Sequence, residues 1–351
     1  MKVQARPGFD AFAEGPWNAL VSRAAAPSVF LTWQWQIGWA RAFAAECPLR
    51  ILSVYDDGGP GADELVGLLP LFEETPGVWC PIGGGDVSDY LDLIAPAGRE
   101  REVWAALLEW RRGRAETWAL RGLRPESPTL AVLPELAAAH GLAATAEVEE
   151  RCPVLPLPES WDAYLAGLSG KDRHELRRKM RKLENELPGV KARSVAEPEA
   201  WDAALDEFLQ LHRISRVGKA RFMDERMERF FRGVFEELVR FGWVRLWLLE
   251  WQSQPVAAFI CLEFGGMVGL YNSGFDPAHA KVAPGIVLLA HVIRDAIERK
   301  IPVFDFLRGE EPYKYSFGPT PRDLLALRVA PRGEEGSAAP AATRRVGHPT
   351  W

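Results

Sequence analysis

No stretch of this sequence holds the roughly 20 unbroken apolar residues of a membrane-spanning helix. The most apolar helical segment, 286–297, is interrupted by His291, Arg294 and Asp295. The first residues lack an apolar run of signal-peptide length, so a soluble, cytoplasmic protein is expected. Cysteine is scarce. The four present, Cys47, Cys80, Cys152 and Cys261, are scattered without metal-ligand spacing, which reads as reduced, buried thiols. Positive charge is not in excess: 42 Lys and Arg against 48 Asp and Glu give a net charge of -6. That argues against DNA or general nucleic-acid binding and leaves room for a local basic site. There is no Gly-x-Ser-x-Gly elbow, Walker loop or strand–helix Gly-x-Gly-x-x-Gly. Asp86, Asp89 and Asp92 lack EF-hand spacing, so no metal is expected.

What remains is ordinary globular composition, 48% hydrophobic and 26% charged, over 351 residues, a length that suits two domains. The prolines of Leu155-Pro156-Leu157-Pro158 suit an extended linker or edge strand. The expected division is an N-terminal domain over 1–157, a basic helical connector over 158–188, a C-terminal domain over 189–330 and a disordered tail over 331–351. The first part reads as helices 17–25 and, capped by Thr32, 33–43; a hairpin 49–55 and 64–72 around a Gly-rich turn at 56–63; and short strands 78–82 and 90–94. Helix 100–112, strand 116–120, helix 127–140 and strands 142–148 and 153–157 follow. Several of the 14 tryptophans fall at helical spacing in 33–39 and read as lining a core or groove.

The second part opens with helices 160–168 and 171–187. Then come strand 190–195, helices 199–216 and 224–241, and a meander of strands 243–251, 256–264 and 267–275, joined by Gln252-Ser253-Gln254 and Gly265-Gly266. A polar loop 276–284 leads into helix 285–299, strand 303–307, a polar segment to Gly318 and a last strand 324–329. The first half shows a blurred version of the same order. Sequence identity between the halves is not visible, so a duplication is expected in topology only.

That order resembles the GNAT acyltransferase superfamily, and more narrowly its CelD/BcsL-type branch, whose two GNAT-like halves are similar to those of the Fem aminoacyl-transferases. The resemblance covers about residues 16–330. It is carried by 33–43, 65–72, Ser88-Asp89-Tyr90-Leu91-Asp92-Leu93 and the charged run at 171–178. Its strongest parts are Tyr271-Asn272-Ser273-Gly274-Phe275-Asp276, Pro284-Gly285, and the segment 304–314. It implies an α/β fold of two tandem GNAT-like domains with mixed, mostly antiparallel sheets flanked by helices. It also implies an N-acetyltransferase-type enzyme of polysaccharide biosynthesis. Such an enzyme moves an acyl group, commonly acetyl from acetyl-CoA, to an amine or hydroxyl of a small-molecule or sugar acceptor entering between the halves. The family's pyrophosphate loop reads Gln/Arg-x-x-Gly-x-Gly/Ala. Here the span is His279-Ala280-Lys281-Val282-Ala283-Pro284-Gly285, keeping the last Gly and a basic residue. An acyl carrier protein or an aminoacyl-tRNA donor therefore stays open, as does a non-catalytic binding module.

Individual residues follow from this reading. The helix start at Pro284, Gly285 and Ile286, with Lys281 nearby, offers orphan N–H groups and partial positive charge to a phosphate; the plain alternative is a surface loop. The resemblance implies a strand that splays at Tyr271, Asn272 and Ser273, with donors for an oxyanion. Asp305 alternates with Phe304 and Phe306 and is expected to face a cleft and manage the acceptor's proton, unless it only pairs with Arg308. Tyr313 stands where the family places its proton donor, with Tyr315 as competitor. Arg308, Glu310 and Lys314 are expected to bind substrate. On helix 171–187, Leu176, Met180, Leu183 and Leu187 form one apolar stripe, and the remaining surface, Arg177 included, is cationic and suits a phosphate-bearing partner or plain solvent. Ser88, Asp89 and Tyr90, beside Gly83-Gly84-Gly85, are expected to rim the acceptor groove.

Overall fold

The computed structural model describes residues 1–56 and 64–333. The Gly-rich turn beyond Asp56 and the expected tail beyond residue 333 lie outside the described residues. The chain divides into two units: Met1–Glu150 with the segment from Asp323, and Arg151–Arg322. The expected boundary near 157 moves back to 150. Residues 158–188 belong to the second unit's core rather than forming a connector, and the strand expected at 324–329 belongs to the first unit.

The first unit runs β1 (Lys2–Arg6), α1 (Glu14–Ser22), α2 (Trp33–Phe43), β2 (Leu49–Asp56), β3 (Glu64–Thr75), β4 (Val78–Pro81), α3 (Gly84–Val87), α4 (Glu100–Arg111), β5 (Thr117–Leu123), α5 (Pro128–Ala139) and β6 (Leu142–Pro156), whose last residues enter the second unit. The second continues with α6 (Trp161–Gly167), α7 (Gly170–Glu186), β7 (Lys191–Val195), α8 (Pro198–Ser215), α9 (Val217–Phe222), α10 (Glu225–Arg240), β8 (Val244–Trp251), β9 (Gln254–Phe264), β10 (Met267–Phe275), α11 (Pro284–Glu298), β11 (Val303–Asp305) and α12 (Pro312–Tyr315). β12 (Thr320–Pro331) returns to the first unit, pairing with β5.

The two units repeat one topology. The first unit's sheet has the order β1-β2-β3-β4-β5-β12 and the second's β7-β8-β9-β10-β11-β6. Each is an antiparallel run closed by a parallel β-α-β unit: β4–α4–β5 in one, β10–α11–β11 in the other. The sixth strand of each comes from the other half of the sequence. The expected strand 90–94 is not regular; only Ile94 makes a bridge, with Leu68. In α2 the Trp35 indole is fully buried and donates to Ser88 Oγ, so this tryptophan run is core. Thr32 is the N-cap of α2, but its hydroxyl donates back to Val29 O instead of capping.

In the second unit the hairpin turns are set by backbone handedness. Gln252 and Ser253 (φ 50° and 61°) and Gly265 and Gly266 (φ 59° and 78°) both give the double left-handed turn that matches strand twist. One sheet face, including Trp247, Leu249, Ala257, Phe259 and Cys261, shares a core with Leu176 and Leu183 of α7 and Leu288, Leu289 and Val292 of α11. α8 and α10 cover the other face. The apolar stripe of α10, Met227, Phe230, Phe231, Val234, Phe235 and Leu238, is buried, and Phe231 and Phe235 pack on Tyr271. α8 meets β10 at Gly274, where an added Cβ would lie 2.5 Å from His212 N and 2.7 Å from Leu211 C. Backbone cannot yield as a side-chain tip can, so Gly274→Ala is expected to destabilise by about 1–3 kcal/mol. The measurement is a lowered urea midpoint at unchanged m-value.

Candidate functional site

The site begins where two strands part. β10 and β11 pair in parallel at Met267–Val303, Val268–Phe304 and Gly269–Asp305, and no further. β10 bulges at Tyr271 and continues with β9 as far as Phe275. β11 instead turns away. Asp305 Oδ1 accepts from Leu307 N at 2.7 Å, and this holds Leu307 in a left-handed conformation (φ 54°). Phe306 N then donates to Pro153 O and Gly309 N to Arg151 O, tying the departing chain to β6. The result is a wedge bordered by the last residues of β10.

The tip of α11 faces this wedge. The expected polar loop is a 3-10 turn, Pro277–Val282, started by the Asp276 carboxylate accepting from Ala278 N at 2.9 Å. Ala283 is left-handed (φ 51°) and is the N-cap, with Pro284 in the first turn. Ile286 N and Val287 N both donate to Ala283 O, at 3.1 and 3.3 Å. Gly285 keeps the tip open: an added Cβ would meet only Phe259 Cζ at 4.0 Å. No acid stands in this first turn, so the partial positive charge of the helix end is uncompensated there.

Between them lies a cavity of about 350 Å³, lined by α11's Pro284, Gly285 and Ile286 with Ala283 and Ala280, by Gly274 and Phe275 of β10, by Phe259 of β9, by Pro312 and Tyr313 of α12, and by Arg216 at the α8–α9 junction. Burial, reinforced by Glu311, pushes the Tyr313 phenol well above its ordinary range.

Of the residues singled out in the sequence, Pro284, Gly285, Ile286 and Tyr313 therefore meet at one cavity. The others stand elsewhere. Asp305 is 3% exposed and lines no part of it; Phe304 and Phe306 are buried as well, so both faces of the strand are covered and alternation does not turn Asp305 toward a cleft. Asn272 and Ser273 sit just behind the lining residues Gly274 and Phe275. Asn272 Oδ1 accepts from Ser273 N at 2.9 Å. Lys281 is exposed, and its carbonyl accepts from Lys182 Nζ at 2.8 Å. Lys314 is buried, donates to Arg308 O and Gly309 O, and pairs with Glu311 at 2.8 Å. Arg308 is buried, while Glu310 accepts from Tyr315 OH at 2.9 Å and pairs with Arg151. Tyr271 packs into α10, and Arg177 is exposed on α7. Asp89 and Tyr90 are buried in the first unit, with the Arg124 guanidinium over the Tyr90 ring. Asp92 is structural, accepting from Leu93 N, Thr129 Oγ1 and Ser127 Oγ. Among the described residues no cluster of three or more His, Cys, Asp or Glu is placed to hold a metal.

Sequence reasoning missed a polar layer beneath the cavity. Lys219 on α9 is 1% exposed; its Nζ donates to Ser273 O at 2.7 Å and lies 3.0 Å from Ser273 Oγ. Burial, helped by the Arg216 charge and opposed by Glu311, pushes this amine well below the usual lysine range. His212, at the end of α8, is also fully buried. Burial and then Lys219 lower its imidazole to about 3, against a raising interaction with Asn272. The available signal was the density of cations in Arg213, Arg216, Lys219 and Arg221 between two helices. His212 makes a testable linkage. The unfolded chain takes up this proton below about 6.5, the folded chain only near 3, so the contribution is present at neutral pH and is lost as pH falls between those values. From pH 6 to pH 4 the wild type should lose about 2–3 kcal/mol more than His212→Gln, at about 1.4 kcal/mol per pH unit. Parallel urea titrations of both proteins, with equal losses, would remove this account.

With this geometry in place, likenesses to known proteins can be assigned. Residues 170–315 match the acetyltransferase (GNAT) domain family model. No curated protein matches the sequence. Among solved structures, FemX is similar at TM-score 0.63 and 12% identity, with 93% of this chain and 97% of that chain covered. A conserved protein of unknown function from Bacteroides thetaiotaomicron VPI-5482 is similar at 0.59 and 13%, covering 94% and 100%. L-PGS from Bacillus licheniformis is similar at 0.57 and 10%, covering 91% of each. At these identities the likeness is one of fold. The fold is α/β, with mixed sheets flanked by helices.

Proposed function

We propose that the protein is an acyltransferase whose reaction centre is the cavity of the second unit. The observation that carries the reading is the convergence on one cavity of an open helix start, the splayed end of β10 and a tyrosine. The GNAT-domain match over 170–315 falls on the segment that builds it. The donor is an acyl-CoA-type thioester, with acetyl-CoA the simplest. The Gly285 N–H, the α11 dipole and the cations of Lys182 and Lys281 at the preceding turn suit its diphosphate. The acceptor is an amine or hydroxyl of a small molecule or sugar. The narrower CelD/BcsL-type assignment, polysaccharide biosynthesis and a cytoplasmic setting belong to the same proposal, supported by motif order and by four free thiols.

In this mechanism the acceptor attacks the thioester carbonyl directly, forming a C–N or C–O bond and breaking C–S. The edge of β10 at Gly274 and Phe275 faces the reacting group. Lys219 and Asn272 fix this edge from behind through Ser273. A phenol held above its normal range is a poor source of a free proton but a constant hydrogen-bond donor. Tyr313 therefore steadies the departing thiolate, while the acceptor's own proton completes the thiol. Asp305 acts at a distance, by holding the turn that aims the chain toward Tyr313.

CoA at 1 mM is expected to raise the melting temperature. Tyr313→Phe should lower kcat about 100-fold with little change in donor KM. Unchanged kcat would take Tyr313 out of the chemistry. One observation favours a second donor. Two first-turn N–H groups of α11 are spent on Ala283 O and Pro284 has none, so few remain for a diphosphate. α7 meanwhile exposes Lys171, Arg177 and Arg181. An aminoacyl-tRNA donor would show binding that weakens steeply with salt, and no response to CoA.

A further inference from the structure

The cavity holds no base. Among the described residues, those that line it present apolar groups, the Tyr313 phenol and the Arg216 guanidinium, and none is a carboxylate or a histidine. Acids close by are engaged elsewhere. Asp276, which follows the lining residue Phe275, accepts from Ala278 N at 2.9 Å, and His279 on the same turn packs on Trp251. Glu311, which precedes the lining residue Pro312, pairs with Lys314 at 2.8 Å. Asp305 is buried and accepts from Leu307 N at 2.7 Å.

The basic groups around it do not fill the gap. His212 is fully buried, and its imidazole, lowered to about 3, is too weak a base for an amine. Lys219 is 1% exposed, its Nζ is turned to Ser273 O and Oγ, and burial together with the Arg216 charge opposes its taking a proton. The other charged groups, Arg216 at the cavity and Lys182 and Lys281 at the turn before α11, are cationic donors and cannot accept a proton.

The proton count of the transfer then fixes the kind of acceptor. A neutral amine needs no base. Its nitrogen bonds to the thioester carbonyl carbon, the C–S bond breaks, and the surplus proton on nitrogen passes to the thiolate. An ammonium brings one proton more and has no lone pair until that proton is lost. Nothing lining the cavity can take it, and burial disfavours the charged form. A hydroxyl brings the right number of protons but is a weak nucleophile unless a base draws its proton away.

We propose that the acceptor is an amine of low basicity, one with an appreciable neutral share near pH 7, such as the amine of an α-amino amide, and neither a lysine-type alkylamine nor a hydroxyl. This rests on the acyltransferase reading above and narrows its acceptor class. It holds wherever in the cavity the donor and the acceptor lie, because the reacting nitrogen must meet the thioester there.

The test uses the full chain with acetyl-CoA and two isomeric probes, Nε-acetyl-lysinamide with a free α-amine and Nα-acetyl-lysinamide with a free ε-amine. Acetyl-CoA must first raise the melting temperature; if it does not, the CoA reading falls and this inference with it, before any amine is added. Thiol release is then followed from about pH 6 to pH 9 as kcat/KM for the amine, with protein-free blanks subtracted. At pH 7 about a tenth of an α-amine and under about a thousandth of an ε-amine is neutral. The α-amine isomer is expected to react at least ten-fold faster there. Each rate should climb with pH until it reaches the pKa of that probe's own amine, so the α-amine profile levels near pH 8 and the ε-amine profile still rises at pH 9. Profiles that level at one shared pH reveal a base in the protein and overturn the proposal. So do an ε-amine as fast as the α-amine at pH 7, acylation of glucose, or no thiol release with either isomer from protein that binds acetyl-CoA.

Discussion

Everything at the candidate site depends on the early end of one strand pairing. β10 and β11 share three residue pairs, and beyond Gly269 β10 no longer pairs with β11. Backbone polar groups cannot be buried unpaired without a cost of a few kcal/mol, so the structure must supply substitutes. Ser273 shows how. Its N–H goes to the side chain of Asn272, and its carbonyl and hydroxyl go to Lys219. The lysine arrives from an element more than fifty residues upstream, and the missing side chain at Gly274 lets the preceding helix, α8, lie against β10 at Leu211 and His212. The wedge, the polar layer and the glycine are consequences of one unpaired edge.

A buried lysine would be very costly as an isolated cation. Here the carbonyl it serves can accept a hydrogen bond from a neutral amine as well as from an ammonium. Its proton affinity falls because it is buried and because Arg216 lies one helical turn away. The same reasoning keeps His212 neutral. The layer therefore satisfies the strand while burial disfavours the charged forms of both groups.

How much of this could be read from residues alone follows from the range of the interactions. Local signals were legible: the meander with its Gly265-Gly266 turn, the helix begun by Pro284 and Gly285, and the tyrosine of the segment after β11. Each is encoded within a few residues by dihedral preference or apolar period. The exchange of β6 and β12 between halves was not, because an apolar run states that a strand exists and not which strand it joins. Lys219 and His212 were passed over since their partners on β10, Ser273 and Asn272, are over fifty positions away and α9 is a single short helix. Asp305 misled for a related reason. Alternation separates two faces of a strand, but in β11 both are buried, Phe304 and Phe306 on one and Asp305 on the other, so neither face is open.

The repeated topology explains why the second unit should hold the centre. Both units contain a parallel β-α-β element, and in both the start of the helix is the natural place for an anion. The first turn of α4 already holds its own anions. Glu100 and Glu102 stand in it, Glu100 is buried, and its carboxylate accepts from Gly98 N at 2.8 Å. The N-cap Arg99 is committed to Asp56 at 2.7 Å and to Glu102. A phosphate brought to α4 would meet carboxylates at hydrogen-bonding range, whereas α11 starts with Pro284, Gly285 and Ile286 and carries no acid there. Two copies of one architecture have thus been given opposite electrostatics at the same point. One helix end is closed by its own side chains, and the other is left with a positive pole, a glycine and a cavity in front of it.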